Sequence, residues 1–195
     1  MILMPNKTTL QNIHALGLVE EITSNLGIQV YVWGGFTIDI YSNKILRDHK
    51  DVDHLIVNLY DHIPKLKKQF VQRGWKTEIL RNGDLGIKKD KSNIQFGHLE
   101  IKKDAKWYHN GEKGTIIFPK DWLNPNSLQF LNFKVHAVYP EFQYVLKKNP
   151  KFMNPLWEIR EQDKKDIKQL EEILKMNKDE LNLLLKQVRF INYNN

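Results

Sequence analysis

At 195 residues the chain is long enough for one full core, and its 41% hydrophobic and 11% aromatic content excludes a disordered chain. The absence of cysteine excludes disulfides and thiolate metal sites, so any metal must take oxygen or imidazole ligands. A net charge of +7 and a pI near 9.4 favour polyanionic partners such as nucleotide phosphates or RNA, although a Lys-, Asn- and Ile-rich composition throughout accounts for part of that charge.

The opening MILMPNK lacks a basic stretch followed by an apolar run, and no later stretch approaches the roughly 18 apolar residues of a spanning helix. A cytoplasmic protein with no membrane segment is expected. The first helix should follow Pro5, with Thr8 or Thr9 as N-cap, Leu10, Ile13, Leu16, Leu18 and Val19 at helical spacing, and an end near Gly27. IQVYVW (28–33) reads as a strand, Gly34-Gly35 as a turn, and FTIDIYSNKIL as a short helix. VDHLIV (52–57) is a second strand. DHIPKLKKQFVQRG (61–74) is a helix with Leu66, Phe70 and Val71 inward and Gly74 as its stop.

Strands are expected at 75–80, 85–89, 93–102, 115–118 and 129–138, with 102–114 forming a hairpin around an Asn110-Gly111 turn. From Pro140 the period changes to about 3.6, and three helices are expected from PEFQYVLKKN, PLWEIREQDKKDIKQLEEILK and KDELNLLLKQVRF. The organisation is a core over 1–138 and a C-terminal helical segment over 139–195 packed on it. The fold class is α+β.

The chemistry lies in YVWGGFTIDIYSNKILRDHKDVDHLIV (31–57). Asp51 and Asp53 alternate on one strand face with Cα atoms roughly 6.5–7 Å apart, where two carboxylates repel unless a divalent cation sits between them. Oxygen-only ligands favour Mg²⁺ or Mn²⁺, and a pair of ions would clamp the attacking and leaving oxygens of a phosphoryl or nucleotidyl displacement. Gly34 and Gly35 let backbone approach phosphate at the start of a helix. In NIQFGHLEIKK, Ile94, Phe96, His98 and Glu100 share one face, and Glu100 is the candidate third carboxylate.

These residues resemble the nucleotidyltransferase superfamily with a DNA polymerase β-like fold, most closely its lincosamide and aminoglycoside nucleotidyltransferases. The motif positions are Gly34, Gly35, Phe36, Ile38 and Asp39, then Arg47, His49, Asp51, Val52 and Asp53. GHLEIKKD, IIFPKDWL and EQDKKDIKQL resemble later segments more loosely, over roughly residues 10–175. The resemblance implies a mixed sheet in the core, Mg²⁺ on Asp51 and Asp53, a triphosphate on Gly34 and Gly35, phosphate contact by Arg47 or His49, and a metal or proton-accepting role for Glu100. It departs at Phe36, at His54 and in the third acid being Glu.

The implied reaction moves AMP from ATP, or another nucleoside monophosphate, onto a hydroxyl, releasing pyrophosphate. Overall basicity disfavours a polycationic acceptor, leaving a lincosamide-type small molecule as the expected substrate. Alternatives are a toxin-like enzyme acting on tRNA or protein, and a non-catalytic nucleotide- or RNA-binding relative. A homodimer is compatible with this branch. The charged turn Asp163–Asp166 reads as a solvated face, and Trp122 and Trp157 as core or interface.

Overall fold

In a computed structural model, residues 4–193 are described apart from 105, 111–113 and 155. The elements in order are α1 (Lys7–Asn25), β1 (Val30–Trp33), α2 (Gly35–Ser42), β2 (Val52–Val57), α3 (Leu59–Gln72), β3 (Lys76–Ile79), β4 (Leu85–Lys89) and β5 (Ser92–Ile101). They continue with β6 (Lys106–Asn110), β7 (Gly114–Pro119), β8 (Leu128–Phe130), β9 (Phe133–Val135), α4 (Pro140–Lys148), α5 (Glu161–Leu174), α6 (Lys178–Leu185) and β10 (Arg189–Asn192).

The main sheet runs β1-β2-β5-β6-β7-β10, with β4 on the first half of β5 and β3 outside β4. β2 and β5 are parallel and the remaining pairs antiparallel, so the sheet is mixed, as expected. α1 and α3 cover one face through Val19, Ile22, Leu66 and Phe70, which meet Ile56, Ile87, Ile94 and Phe96. The opposite face packs Leu55, Leu99, Trp107 and Phe118 against Phe142, Val145, Ile167 and Leu184 of α4, α5 and α6. None of the described helices is long and apolar enough to cross a membrane.

Several boundaries differ from expectation for local reasons. Asn6 caps α1, its Oδ1 accepting the Thr9 amide at 2.8 Å, and Leu10 stays outside. Val71 is exposed, because the buried stripe of α3 runs through Leu66 and Phe70 and leaves the next position outward. The expected strand 129–138 is a short hairpin, β8 with β9, after which 136–138 runs beside β1 through Val32 and Ala137. The 102–114 hairpin forms as β6 and β7, and its Gly111 lies outside the described residues.

The third C-terminal helix stops at Leu185. Residues 189–192 turn back as β10 onto the edge of β7, so the last residues of the expected helical segment belong to the core sheet. Phe190 and Ile191 suit a strand better than a helix, and the open edge of β7 offers unpaired backbone groups.

Candidate active site

Pairing of β1 with β2 sets Trp33 opposite Asp53, so the turn after β1 lies directly against the second aspartate. Gly34 has φ +72°, and a Cβ there would stand 2.5 Å from Asp53 Oδ2. A Cβ on Gly35 would collide with Arg47 Nη2. The two glycines therefore make a bare backbone surface between an acid and a guanidinium, at the start of α2. The Gly34 amide donates to Gln143 Oε1 at 2.9 Å, which ties the turn to α4. A cleft of about 630 Å³ opens here, with Asp51, Asp53, Arg47, Lys147, Arg160 and Trp157 among its walls.

Asp53 has its carboxyl pushed up to about 7, first by burial and then by Asp51 and Asp84, against the pull of Lys147 and Arg47. Without a cation, Asp53 therefore carries a proton below about pH 7, which a divalent cation would displace. The donor set is oxygen only and stands beside a glycine turn with no side chain in the way, which fits a hard cation such as Mg²⁺. Among the described residues, no group of three or more His, Asp or Glu converges that could hold a metal ion.

Glu100 does not join the aspartates. Asp53 is level with Gln95, and residues of like parity on β5 share its face, whereas Glu100 lies five residues on and on the opposite face with His98. That displacement is roughly 16 Å along the strand. There Glu100 pairs with Lys102 Nζ at 3.1 Å, which holds its carboxyl below the usual range, and approaches His98 Nε2 at 3.6 Å. The residue beside Asp53 is the neutral Gln95, which lines the cleft.

His49 is likewise not at the cleft. It is 3% exposed, its Nε2 lies 2.7 Å from Asp39 Oδ2, and its ring stacks on Phe36. It braces the loop from behind while Arg47, two residues earlier, reaches the cleft. Burial raises the Asp39 carboxyl, with His49 opposing.

The facing wall comes from the C-terminal segment. Lys147 Nζ on α4 lies 2.8 Å from Asp163 Oδ1 and 2.9 Å from Asp166 Oδ2. Arg160 holds Asp163 at 2.7 and 3.0 Å, and Arg47 reaches Asp166 at 3.3 and 3.4 Å. Burial would raise both carboxyls, but the cations prevail and hold both below the ordinary value, Asp163 far below. Asp163 and Asp166 are thus buried anchors rather than the solvated face expected. Lys164, in the same turn, pairs outward with Glu161. Trp122 is core, but Trp157 is half-exposed at the cleft mouth.

Lys147, Arg160 and Gln143 escaped the sequence because nothing local marks them. The one available signal was Arg160 three residues before Asp163 and six before Asp166, which sets an N-cap cation against two acids near one face of the helix that follows.

Solved structures share this fold. The lincosamide antibiotic adenylyltransferase LnuA, lincomycin-bound, aligns with a TM-score of 0.64 at 19% identity over 86% of this chain and 99% of that one. ANT(2'')-Ia in complex with adenylyl-2''-tobramycin aligns at 0.68 and 13% identity, over 91% and 96%. A nucleotidyltransferase-like protein from Paracoccidioides brasiliensis aligns at 0.52 and 13% identity, over 89% and 91%. No curated protein matches significantly in sequence. The sequence itself matches the aminoglycoside-2''-adenylyltransferase family over residues 15–170, and the chain belongs to that family.

Proposed function

We propose that the protein is a divalent-cation-dependent adenylyltransferase that moves AMP from ATP onto a hydroxyl of a small amphipathic acceptor of the lincosamide type. The observation that carries this reading is Asp53 abutting the bare Gly34–Gly35 turn, with Asp51, Arg47, Lys147 and Arg160 lining the same cleft. Family membership supports the same chemistry.

Arg47, Lys147 and Arg160 would hold the β- and γ-phosphates, and the glycine turn would admit the chain of phosphates close to backbone. Mg²⁺ on Asp51 and Asp53 would supply charge neutralisation at the α-phosphate. The acceptor O–H and the Pα–O bond to the β-phosphate break, the acceptor O–Pα bond forms, and pyrophosphate and a proton leave. The anchored cations favour this displacement by being in position before charge develops on the leaving group.

The acceptor class rests on the cleft rather than on overall charge. Its walls carry four cations (Arg47, Lys50, Lys147, Arg160) and five acids (Asp48, Asp51, Asp53, Glu158, Asp163), so the +7 of the chain does not extend into it. An RNA acceptor loses its electrostatic argument there. Trp33, Leu146, Met153 and Trp157 give the cleft an apolar side, suited to an acceptor with an alkyl or ring face beside its hydroxyls.

The test is incubation with ATP, Mg²⁺ and either lincomycin or tobramycin, read by mass spectrometry, with Asp53→Ala as control. An AMP adduct on lincomycin that the variant fails to make is the expected result. Adducts on tobramycin alone would overturn the acceptor class, and no adduct or pyrophosphate with any acceptor would overturn the reaction.

A further inference from the structure

The parallel pairing of β2 with β5 leaves Gln95 as the residue level with Asp53 on its own face of the sheet. An amide there is neutral and can present either a carbonyl oxygen or an NH₂ group to the cleft, with opposite consequences for a cation. The choice is made by Asp84, the residue before β4, which is 2% exposed and lies on the far side of Gln95.

Asp84 receives three N–H groups. The His98 amide donates to Oδ1 at 3.3 Å, while Asn82 Nδ2 and Gln95 Nε2 donate to Oδ2 at 2.7 and 3.2 Å. A carboxylate only accepts, so the Gln95 atom facing it must be nitrogen. The carbonyl Oε1 is then the end turned away from Asp84 and left for the cleft. We propose that Gln95, oriented by Asp84, supplies a neutral third oxygen ligand to the divalent cation held by Asp51 and Asp53. The inference rests on the adenylyltransferase reading only in taking that pair as the cation site.

Two carboxylates and an amide carbonyl form an all-oxygen donor set whose charge balances one divalent ion. Asp84 touches no reacting atom; it is a positioning residue. The substitution Asp84→Asn is diagnostic for a geometric reason. The fixed backbone N–H of His98 keeps the oxygen of the introduced amide at the Oδ1 place, so the new NH₂ occupies the Oδ2 place and faces both Gln95 and Asn82, whose amides must each turn a carbonyl towards it. Gln95 must then turn its carbonyl back to that NH₂ and offer N–H groups to the cation.

The experiment uses the full-length protein and Mn²⁺ as the probe, with affinity read from water-proton relaxation and, separately, with an α,β-methylene ATP analogue present. Gln95→Met should weaken Mn²⁺ binding about tenfold, and Asp84→Asn should weaken it comparably. The double variant should be no weaker than either alone, because both remove the same oxygen. Gln95→Glu should bind more tightly than wild type. Thermal unfolding checks each fold, and if Asp84→Asn does not fold, the two Gln95 variants, on the cleft surface, carry the test. Wild-type affinity in Gln95→Met, with binding lost in Asp53→Ala, would overturn the proposal and leave the function standing. Mn²⁺ binding that Asp53→Ala does not affect would overturn both.

Discussion

Asp53 makes the unliganded protein pay in stability for its cation site, and Asp53→Asn should reveal how much. A carboxyl moved from its ordinary value near 4 to about 7 favours its protonated form by about 4 kcal/mol. Asp53 keeps partial contact with solvent in the cleft, so we halve that to about 2 kcal/mol. The folded state holds a proton that the unfolded chain has released between about pH 4 and pH 7, so wild-type stability falls as pH rises through that window. Asparagine does not titrate and avoids the loss. For a chain of 195 residues, about 2 kcal/mol corresponds to roughly 4–8 °C in Tm. In EDTA at about pH 8, Asp53→Asn should therefore melt higher than wild type by that amount, and at about pH 5 the gap should shrink to roughly a third, closing below about pH 4. Mg²⁺ with a non-hydrolysable ATP analogue should raise the wild-type Tm at the higher pH and leave the variant unchanged. Calorimetry showing no gap at about pH 8 would refute the claim that the site carries unrelieved charge.

Glu100→Gln should leave kcat/KM for ATP within about twofold of wild type, since Glu100 faces away from the aspartates; a loss above about tenfold would contradict the register argument. Asp166→Asn removes a shared anchor of Arg47 and Lys147 and should raise the KM for ATP about tenfold, with a smaller effect on kcat, in steady-state assays. His54→Leu should stabilise by about 1–3 kcal/mol in urea titrations, because both ring nitrogens are buried without a hydrogen-bond partner. Burial pushes His54 down to about 3, so it also costs stability as pH falls from about 6.5 towards that value, and the variant should lack this acid-side loss.

What the sequence made legible is what local physics decides. The strand–glycine–helix unit and the end of α3 before Gly74 with its φ of +77° follow from short-range pattern, whereas the mixed sheet was legible only through the family resemblance. The 189–192 stretch was not legible, because a few residues after an amphipathic run keep enough helical period to be read as its continuation. Whether they stay helical depends on an edge offered by β7, more than 70 residues earlier.

The site divides along the same line. Asp51 and Asp53 lie together on one chain segment, and their alternation alone brings them to one face. The third position depends on how β5 slides against β2, and a shift of one residue exchanges every side chain between faces. Glu100 is the acid nearest to hand in that strand, yet its even parity puts it with His98 and Phe96 under α3, where Tyr60 stacks on His98 at 4.1 Å. Gln95 occupies the place beside Asp53, and an amide is informative only once its orienting partner is known. That partner, Asp84, lies in the turn before a different strand, as Asp163 and Asp166 belong to a helix distant in sequence from the Arg47 and Lys147 they anchor. In both cases a buried carboxylate outside the motif decides what a cleft residue presents, and this division of labour is invisible until the chain is folded.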